Sequence, residues 1–153
     1  MSFQPIILTA AVKAPPARAF ALFTDHTKDW WKKETAFKTE PNRNFVIDKT
    51  PGGRWYERTE DGADAPWGKV LAYEAPSRLL LGMQFNTQFQ PDPSAETEVE
   101  ITFAQAPGGG CVVTLRHGDL ERLGEGAEPM IEAMRDGWSR HVQEFAQCAG
   151  VAG

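Results

Sequence analysis

The sequence is short of cysteine, of histidine and of positive charge. Its 153 residues include 2 cysteines and 3 histidines, and 16 lysines and arginines stand against 21 acidic residues, for a net charge of −5. This balance argues against the basic surface that a nucleic-acid-binding protein needs. Cys111 and Cys148 lie far apart in the chain and form no CxxC pair. We therefore expect two free thiols in a reducing compartment rather than a disulfide.

Long hydrophobic runs and the common catalytic signatures are also missing. No apolar run approaches the roughly 20 residues of a membrane helix, and residues 1–5 carry no basic segment of a secretory signal. The chain has no HExxH, G-x-S-x-G, Walker or GxGxxG pattern. Residues 108–110 are three glycines that open no helix, so they predict a hairpin turn and not a phosphate loop. We expect a cytoplasmic protein with no membrane contact, no metal and no cofactor.

The patterns that are present predict an antiparallel sheet. Apolar, β-branched and alternating segments indicate strands, which fall at 6–12, 45–48, 54–58, 67–73, 79–85, 98–103 and 111–118. Proline and glycine clusters between these segments predict turns, and residues 90–94 are predicted to form a loop. Glu96, just before the sixth segment, shares one face with Glu98 and Glu100 within it, and we expect this face to be solvated.

Helical patterns flank these strands. Residues 17–23 predict a short helix, and residues 25–31 predict a second short helix or a turn that ends in Trp30-Trp31. Residues 127–149 predict one long helix whose apolar stripe consists of Ile131, Met134, Trp138, Val142, Phe145 and Ala149. Gly137 costs helix propensity, about 1 kcal/mol relative to alanine, so we expect a close approach of another element there. A curved antiparallel sheet of about six to seven strands around this helix uses every apolar face, which gives an α+β fold and a single domain over residues 1–153.

The order of these elements resembles the helix-grip fold of the START, birch-pollen-allergen and polyketide-cyclase superfamily. Within it the chain is similar to the group named after the C-terminal domain of the activator of the heat-shock-protein-90 ATPase. The matching segments are Ala14-Pro15-Pro16, Trp30-Trp31, Gly52-Gly53, Asp61-Gly62, Gly68-Lys69-Val70, Pro76-Ser77-Arg78-Leu79, Leu115-Arg116-His117-Gly118 and Gly137-Trp138. The resemblance covers nearly the whole chain and implies a protein with a cavity. It does not specify an activity.

Large apolar side chains on the elements that would wall a cavity form the predicted ligand site. Five tryptophans are present, and methionines add adaptable apolar surface. The predicted ligand-binding residues are Trp31, Trp55, Met83, Phe85, Leu115, His117, Met134 and Trp138. Ordinary core packing is the alternative for each of them, because large aromatic side chains commonly do no more than pack.

His117 is the weak candidate for a catalytic residue. Strand alternation places it on the same side as Val113 and Leu115, facing inward. An inward histidine can orient a ligand or act as a general base. It can also be a half-buried structural residue satisfied by backbone groups at the strand end, and we rank that role first because no acidic partner is identifiable. His26 and His141 share no metal-binding spacing with it, and His141 is predicted to pack at the edge of the helical stripe.

Three functions remain open at this level. The first is binding of a small, mostly hydrophobic molecule between the sheet and the last helix. The second is an interaction protein, such as a chaperone ATPase activator that acts through its outer surface. The third is a cyclase, dehydratase or hydrolase that uses His117. The sequence predicts a monomer or homodimer and leaves the ligand unspecified.

Overall fold

A computed structural model describes residues 3–25, 44–58, 64–88 and 90–150, and in them it shows one curved seven-stranded antiparallel sheet. The strand order is β1-β7-β6-β5-β4-β3-β2. The strands are β1 Ile6–Val12, β2 Asn44–Ile47, β3 Arg54–Arg58, β4 Asp64–Glu74, β5 Arg78–Phe85, β6 Pro91–Gln105 and β7 Cys111–Gly118. Helix α1 spans Pro16–Asp25, a 3-10 turn spans Leu120–Leu123, and helix α2 spans Glu128–Ala149. The predicted α+β helix-grip fold is confirmed.

Alternation along the strands divides an apolar inward face from a polar outward face. In β7 the inward residues Cys111, Val113, Leu115 and His117 are all buried, whereas Arg116 is exposed. The pairing register places His117 opposite Ile6 of β1 on one side and opposite Val99 of β6 on the other. The inward orientation predicted for His117 is therefore confirmed, and its side chain lies within the sheet's apolar face.

The apolar stripe of helix α2 packs against this inward face of the sheet. Met130, Ile131, Met134, Trp138, His141, Phe145 and Ala146 are buried along it. Four of the predicted stripe residues, Ile131, Met134, Trp138 and Phe145, are buried, whereas Val142 and Ala149 are only partly buried. His141, predicted to pack at the edge of the stripe, is 5% exposed and belongs to the buried face. Two backbone hydrogen bonds, from Lys13 N to Gly150 O at 2.6 Å and from Ala14 N to Ala149 O at 3.2 Å, tie the end of the helix to the end of β1.

The close approach predicted at Gly137 is wrong. A Cβ built on Gly137 would meet no atom of another element within 4 Å. Gly137 therefore lowers the helix propensity without allowing a close contact with another element. We expect Gly137→Ala to stabilise the fold by about 0.5–1 kcal/mol. Chemical denaturation of the two proteins measures this difference. A loss of stability in the alanine variant would mean that the site is crowded after all.

The loop predicted at residues 90–94 is also wrong, because β6 begins at Pro91. Between residues 91 and 97, the strand pairs with β5 alone, at Pro91, Glu96 and Thr97 on either side of an irregularity, and β7 first joins β6 at Glu98. This part of β6 is thus a local sheet edge, where a proline that cannot donate to a ladder is tolerated. The two prolines that suggested a loop, Pro91 and Pro93, are both exposed there.

The acidic face of β6 is only partly solvated. Glu98 is exposed, as predicted. Glu96 lies 3.5 Å from Lys69, and Glu100 lies 2.7 Å from Arg78, so these two carboxylates belong to cross-strand ion pairs on the outer face. The predicted second short helix and the Trp30-Trp31 pair lie outside the described residues. In the described part of the chain, neither helix has the length and hydropathy needed to cross a bilayer.

Candidate functional site

Polar side chains interrupt the apolar inward face at a few buried positions. Glu57 and His117 are both fully buried, and Thr97 is 2% exposed. They fall into two groups. We call Trp138, His117, Thr97 and the Met83 carbonyl the histidine cluster, and we call Trp55, Glu57, Trp67 and Phe85 the aromatic cluster.

The histidine cluster is a continuous chain of hydrogen bonds between helix and sheet. The Trp138 indole Nε1–H donates to His117 Nδ1 at 3.1 Å. Because an indole nitrogen can only donate, Nδ1 must be the acceptor and the imidazole proton belongs on Nε2. Nε2 lies 2.7 Å from Thr97 Oγ1, and the Thr97 hydroxyl in turn donates to the Met83 carbonyl at 3.5 Å. Both ring nitrogens of His117 are therefore engaged by other side chains.

Burial also fixes the charge of His117. Desolvation lowers the pKa of this imidazole from 6.5 to about 3. Protonation of Nδ1 would moreover place two N–H donors, one from each ring, against each other. At neutral pH the imidazole is uncharged and connects Trp138 of α2 to Thr97 of β6 by hydrogen bonds. This geometry supports the structural role. It differs from the structural role pictured from the sequence, because the partners are side chains of β6 and α2 and not backbone groups at the strand end.

The aromatic cluster occupies the inward face of β3, β4 and β5. The rings of Trp55 and Trp67 lie 5.3 Å apart between centroids, and those of Trp67 and Phe85 lie 5.2 Å apart in an edge-to-face arrangement. Trp67 Nε1–H donates to the Glu57 carboxylate at 2.8 Å. The Glu57 side chain is thus fully buried, and its hydrogen-bond donor Trp67 is the ring that contacts both Trp55 and Phe85.

A β-bulge builds this arrangement. Trp55 pairs with Gly68 whereas Tyr56 pairs with Pro66, so Trp67 is the extra residue of β4 and its side chain is re-aimed. Gly68 is required beside it, because a Cβ there would overlap the Gly82 carbonyl oxygen of β5. On β3, period-two alternation puts Trp55 and Glu57 on the same inward side. The bulge and the alternation together bring the Trp67 indole to the Glu57 carboxylate.

The predicted site residues divide between these two clusters and the space around them. Trp55 and Phe85 belong to the aromatic cluster, and His117 and Trp138 to the histidine cluster. Met83 faces inward at 5% exposure and Met134 packs in the core from α2 at 6% exposure. Trp31 lies outside the described residues. The ligand-binding role of the set stays a prediction.

Leu115 and Trp138 line a small void between the sheet and α2. Its full lining is Phe23, Ile101, Val113, Leu115, Trp138, His141, Val142 and Phe145. The cavity volume is about 10 Å³, which is room for about one water molecule. This void is too small for an organic ligand without movement of its walls.

Sequence reasoning missed Glu57 and Thr97. Thr97 sits between outward-facing glutamates, and alternation from Val99 places it inward. Glu57 follows Trp55 by two residues, so the same rule was available. A glutamate in a strand is ordinarily solvent-facing, so its residue type points away from the interior. In the portions of the chain that the structure describes, no group of three or more His, Cys, Asp or Glu side chains could hold a metal ion.

Comparison with known proteins places this arrangement in a family. The model of the family described as "Activator of Hsp90 ATPase homolog 1-like protein" matches residues 13–150. No functionally curated protein shows significant sequence similarity.

Two solved structures are similar in both sequence and fold. The anthrahydroquino-gamma-pyrone synthase Txn09, solved in complex with the compound SUM, is 28% identical with a TM-score of 0.66, covering 96% of this chain and 97% of its own. CalC of Micromonospora echinospora, a self-sacrificing resistance protein, is 26% identical with a TM-score of 0.70, covering 94% and 92%. Protein NE0264 of Nitrosomonas europaea, 15% identical with a TM-score of 0.65 over 95% and 94%, is similar in fold alone.

Proposed function

Because this chain belongs to the family of activator of Hsp90 ATPase homolog 1-like proteins, we propose that it binds a small, mostly apolar aromatic molecule on the inward face of its sheet. The fold fits a ligand-binding helix-grip protein. We place the contact surface at the aromatic cluster, with Met83 beside it, and not at the small void under α2. The ligand would lie between the sheet and the covering helix.

The observation that carries the proposal is the composition of the aromatic cluster. Three large rings meet on adjacent strands, with ring centroids 5.2–5.3 Å apart. Aromatic side chains recognise planar aromatic ligands by stacked and edge-to-face contacts, each worth about 0.5–1.5 kcal/mol beyond the area buried. The similarity to Txn09, whose name describes work on an aromatic polycycle, supports this ligand class.

A binding experiment with a neutral planar probe tests the proposal. We expect 2-methoxynaphthalene to bind at micromolar concentration in isothermal titration calorimetry and to raise the melting temperature, since ligands that bind only the folded state stabilise it. Phe85→Leu should weaken that binding by about two- to tenfold, because it removes one of the three rings, a loss of about 0.5–1.5 kcal/mol.

Phe103→Leu is the matched control. Phe85 and Phe103 are buried to the same degree, at 2% and 3% exposure, on the neighbouring strands β5 and β6. Phe103 packs against Phe20 and Phe23 of α1 and is not part of the aromatic cluster. Both variants should lose comparable stability, and Phe103→Leu should keep the affinity. No binding to the wild type, or equal losses in the two variants, would contradict the proposal.

The other two functions have less support. Activation of a chaperone ATPase draws on the family description, and among the described residues Ile7 is the large hydrophobic side chain that is exposed, at 57%. One such side chain is a small apolar surface for docking. The enzymatic alternative requires His117 to reach a substrate while both of its ring nitrogens are hydrogen-bonded within the protein.

A further inference from the structure

We propose that β1 pairs with β1 of a second copy of this chain through its free edge, the side of the strand that faces away from β7. The two strands run antiparallel about a two-fold axis at Thr9, so that two seven-stranded sheets become one continuous sheet. The proposal adds a partner to the molecule and does not depend on the ligand proposed above.

β1 is an unprotected edge strand. It stands at one end of the strand order and pairs with β7 along its whole length without a register shift. Edge strands are usually protected against further pairing by charged residues, proline, a bulge or a very short length. The seven residues Ile6–Val12 include no charged residue and no proline, whereas β2 at the other edge has only four residues. Among the described strands, β1 is therefore the edge that suits a further strand.

The backbone groups of alternate β1 residues face the free edge. The Val12 carbonyl faces Gly110 beside the start of β7, and the next N–H, that of Lys13, points the opposite way and donates to the Gly150 carbonyl of the α2 end at 2.6 Å. Because backbone groups alternate sides along a strand, the N–H and C=O groups of the odd-numbered residues 7, 9 and 11 face that same side. Within the described ranges, hydrogen bonds from β1 and its end to elements outside the sheet begin only at Lys13. Residues 7–11 thus present the edge to which a partner strand can bond.

The sequence of β1 is complementary to itself in this arrangement. An antiparallel pair centred on Thr9 places Thr9 opposite the partner's Thr9 and Ile7 opposite the partner's Ala11. On the other face, Leu8 falls opposite the partner's Ala10. Each large side chain meets a small one on both faces, and facing threonines are a favourable cross-strand pair. These matches point to a second copy as the occupant of the edge.

The surface beside this edge is also uncharged, although the chain carries a net charge of −5. Two acidic molecules repel each other, so a surface through which they associate needs to be free of acidic side chains. The cross-strand rows that start at Thr9 and Ala11 on the outer face continue through Thr114 and Val112 of β7 to Thr102 and Ala104 of β6. This uncharged strip spans three strands, and Arg116, opposite Ile7, lies at its end.

Sedimentation velocity of the wild-type full chain is the first test. Between about 1 μM and about 1 mM protein we expect a monomer–dimer equilibrium with a dissociation constant on the order of 100 μM, as befits a small interface. A protein that stays monomeric over the whole range would overturn the proposal.

Amide hydrogen exchange, followed residue by residue by NMR, identifies the surface in the wild type. The amides of Ile7, Thr9 and Ala11 should exchange rapidly in dilute protein and about threefold or more slowly at about 1 mM, because they are bonded only in the dimer. Those of Leu8 and Ala10 face β7 and should be protected at both concentrations. Slow exchange of the first three amides in dilute protein, or no effect of concentration on them, would contradict pairing through this edge.

Charge substitutions at the two-fold axis give the sharpest test. Thr9→Glu and Thr9→Lys each place like charges directly opposite each other, so each protein alone should dimerise at least about tenfold more weakly than the wild type. An equimolar mixture of the two should associate again, because the charges then have opposite signs. Thr102→Glu is the matched control, since this residue lies in the same cross-strand row but two strands from the edge, and it should keep the wild-type dimer.

The outcomes decide the proposal in each case. A dimer that persists in Thr9→Glu uses another surface, and a mixture no more associated than its separate components has no two-fold axis at Thr9. Either result overturns the proposal. If the Thr9 variants give no cooperative thermal transition, the alternating exchange pattern of the wild type decides.

Discussion

Trp138→Ala should lower the free energy of unfolding by about 3–5 kcal/mol, the cost of truncating a large buried aromatic side chain. Only 4% of Trp138 is exposed, and it packs edge-on against the imidazoles of His117 and His141. The change also removes the donor to His117 Nδ1 and leaves a buried acceptor without that bond, which adds to the loss. Since a domain of this size has about 5–15 kcal/mol in total, the variant should lose a large share of its stability.

Two further variants divide this effect into its parts. Trp138→Phe keeps most of the ring but not the N–H, and should cost about 1–3 kcal/mol, the penalty of a buried polar group left unsatisfied. Gln143→Ala changes an exposed position of the same helix and should stay within about 0.5 kcal/mol of the wild type. Denaturant unfolding at constant temperature measures all three. An unchanged midpoint for Trp138→Ala would show that the indole is not part of the core.

The elements with strong periodicity were predictable from the sequence. The strand predicted at residues 111–118 is β7, Cys111–Gly118, and the helix predicted at 127–149 is α2, Glu128–Ala149. Both carry one apolar face and are bounded by glycines, so pattern alone determines their type and length. The start of β6 was harder to predict, because a proline indicates a loop unless the pairing of its strand is known. Which residues of β6 have a second neighbour depends on the whole sheet.

The candidate site was less predictable because its contacts join distant segments. Alternation told us that His117 points inward, but its partners Thr97 and Trp138 depend on the β6–β7 register and on the placement of α2. The contact between Trp67 and Glu57 depends on a β-bulge in β4. Strand alternation does not predict the position of a bulge. Bulges re-aim single side chains next to functional sites. Strand alternation and helical periodicity therefore predicted the inward apolar residues but did not identify Glu57 among them.

Acidification should destabilise the fold through His117. Its pKa is about 3 in the folded protein and 6.5 when unperturbed, so between these values the unfolded chain binds a proton that the folded protein does not. Stability from this group is complete above pH 6.5 and is lost progressively as the pH falls toward 3, by about 1.4 kcal/mol for each pH unit. Between pH 7 and pH 4.5 the loss from His117 alone should reach about 3 kcal/mol. Urea unfolding at a series of pH values measures it.

His117→Gln isolates this contribution from that of the carboxylates, which also respond to acid. Glutamine offers a donor and an acceptor but does not titrate, so the variant should be less stable than the wild type at pH 7 and should lose about 3 kcal/mol less on going to pH 4.5. The two stability curves should therefore converge as the pH falls. His141→Gln is the control, because it changes the other buried histidine against Trp138 and leaves His117 in place, so its curve should keep the contribution of His117. Parallel curves for His117→Gln and the wild type would mean that the imidazole is protonated in the folded state or reached by solvent. Either result would contradict a buried, uncharged His117 that is hydrogen-bonded between Trp138 and Thr97.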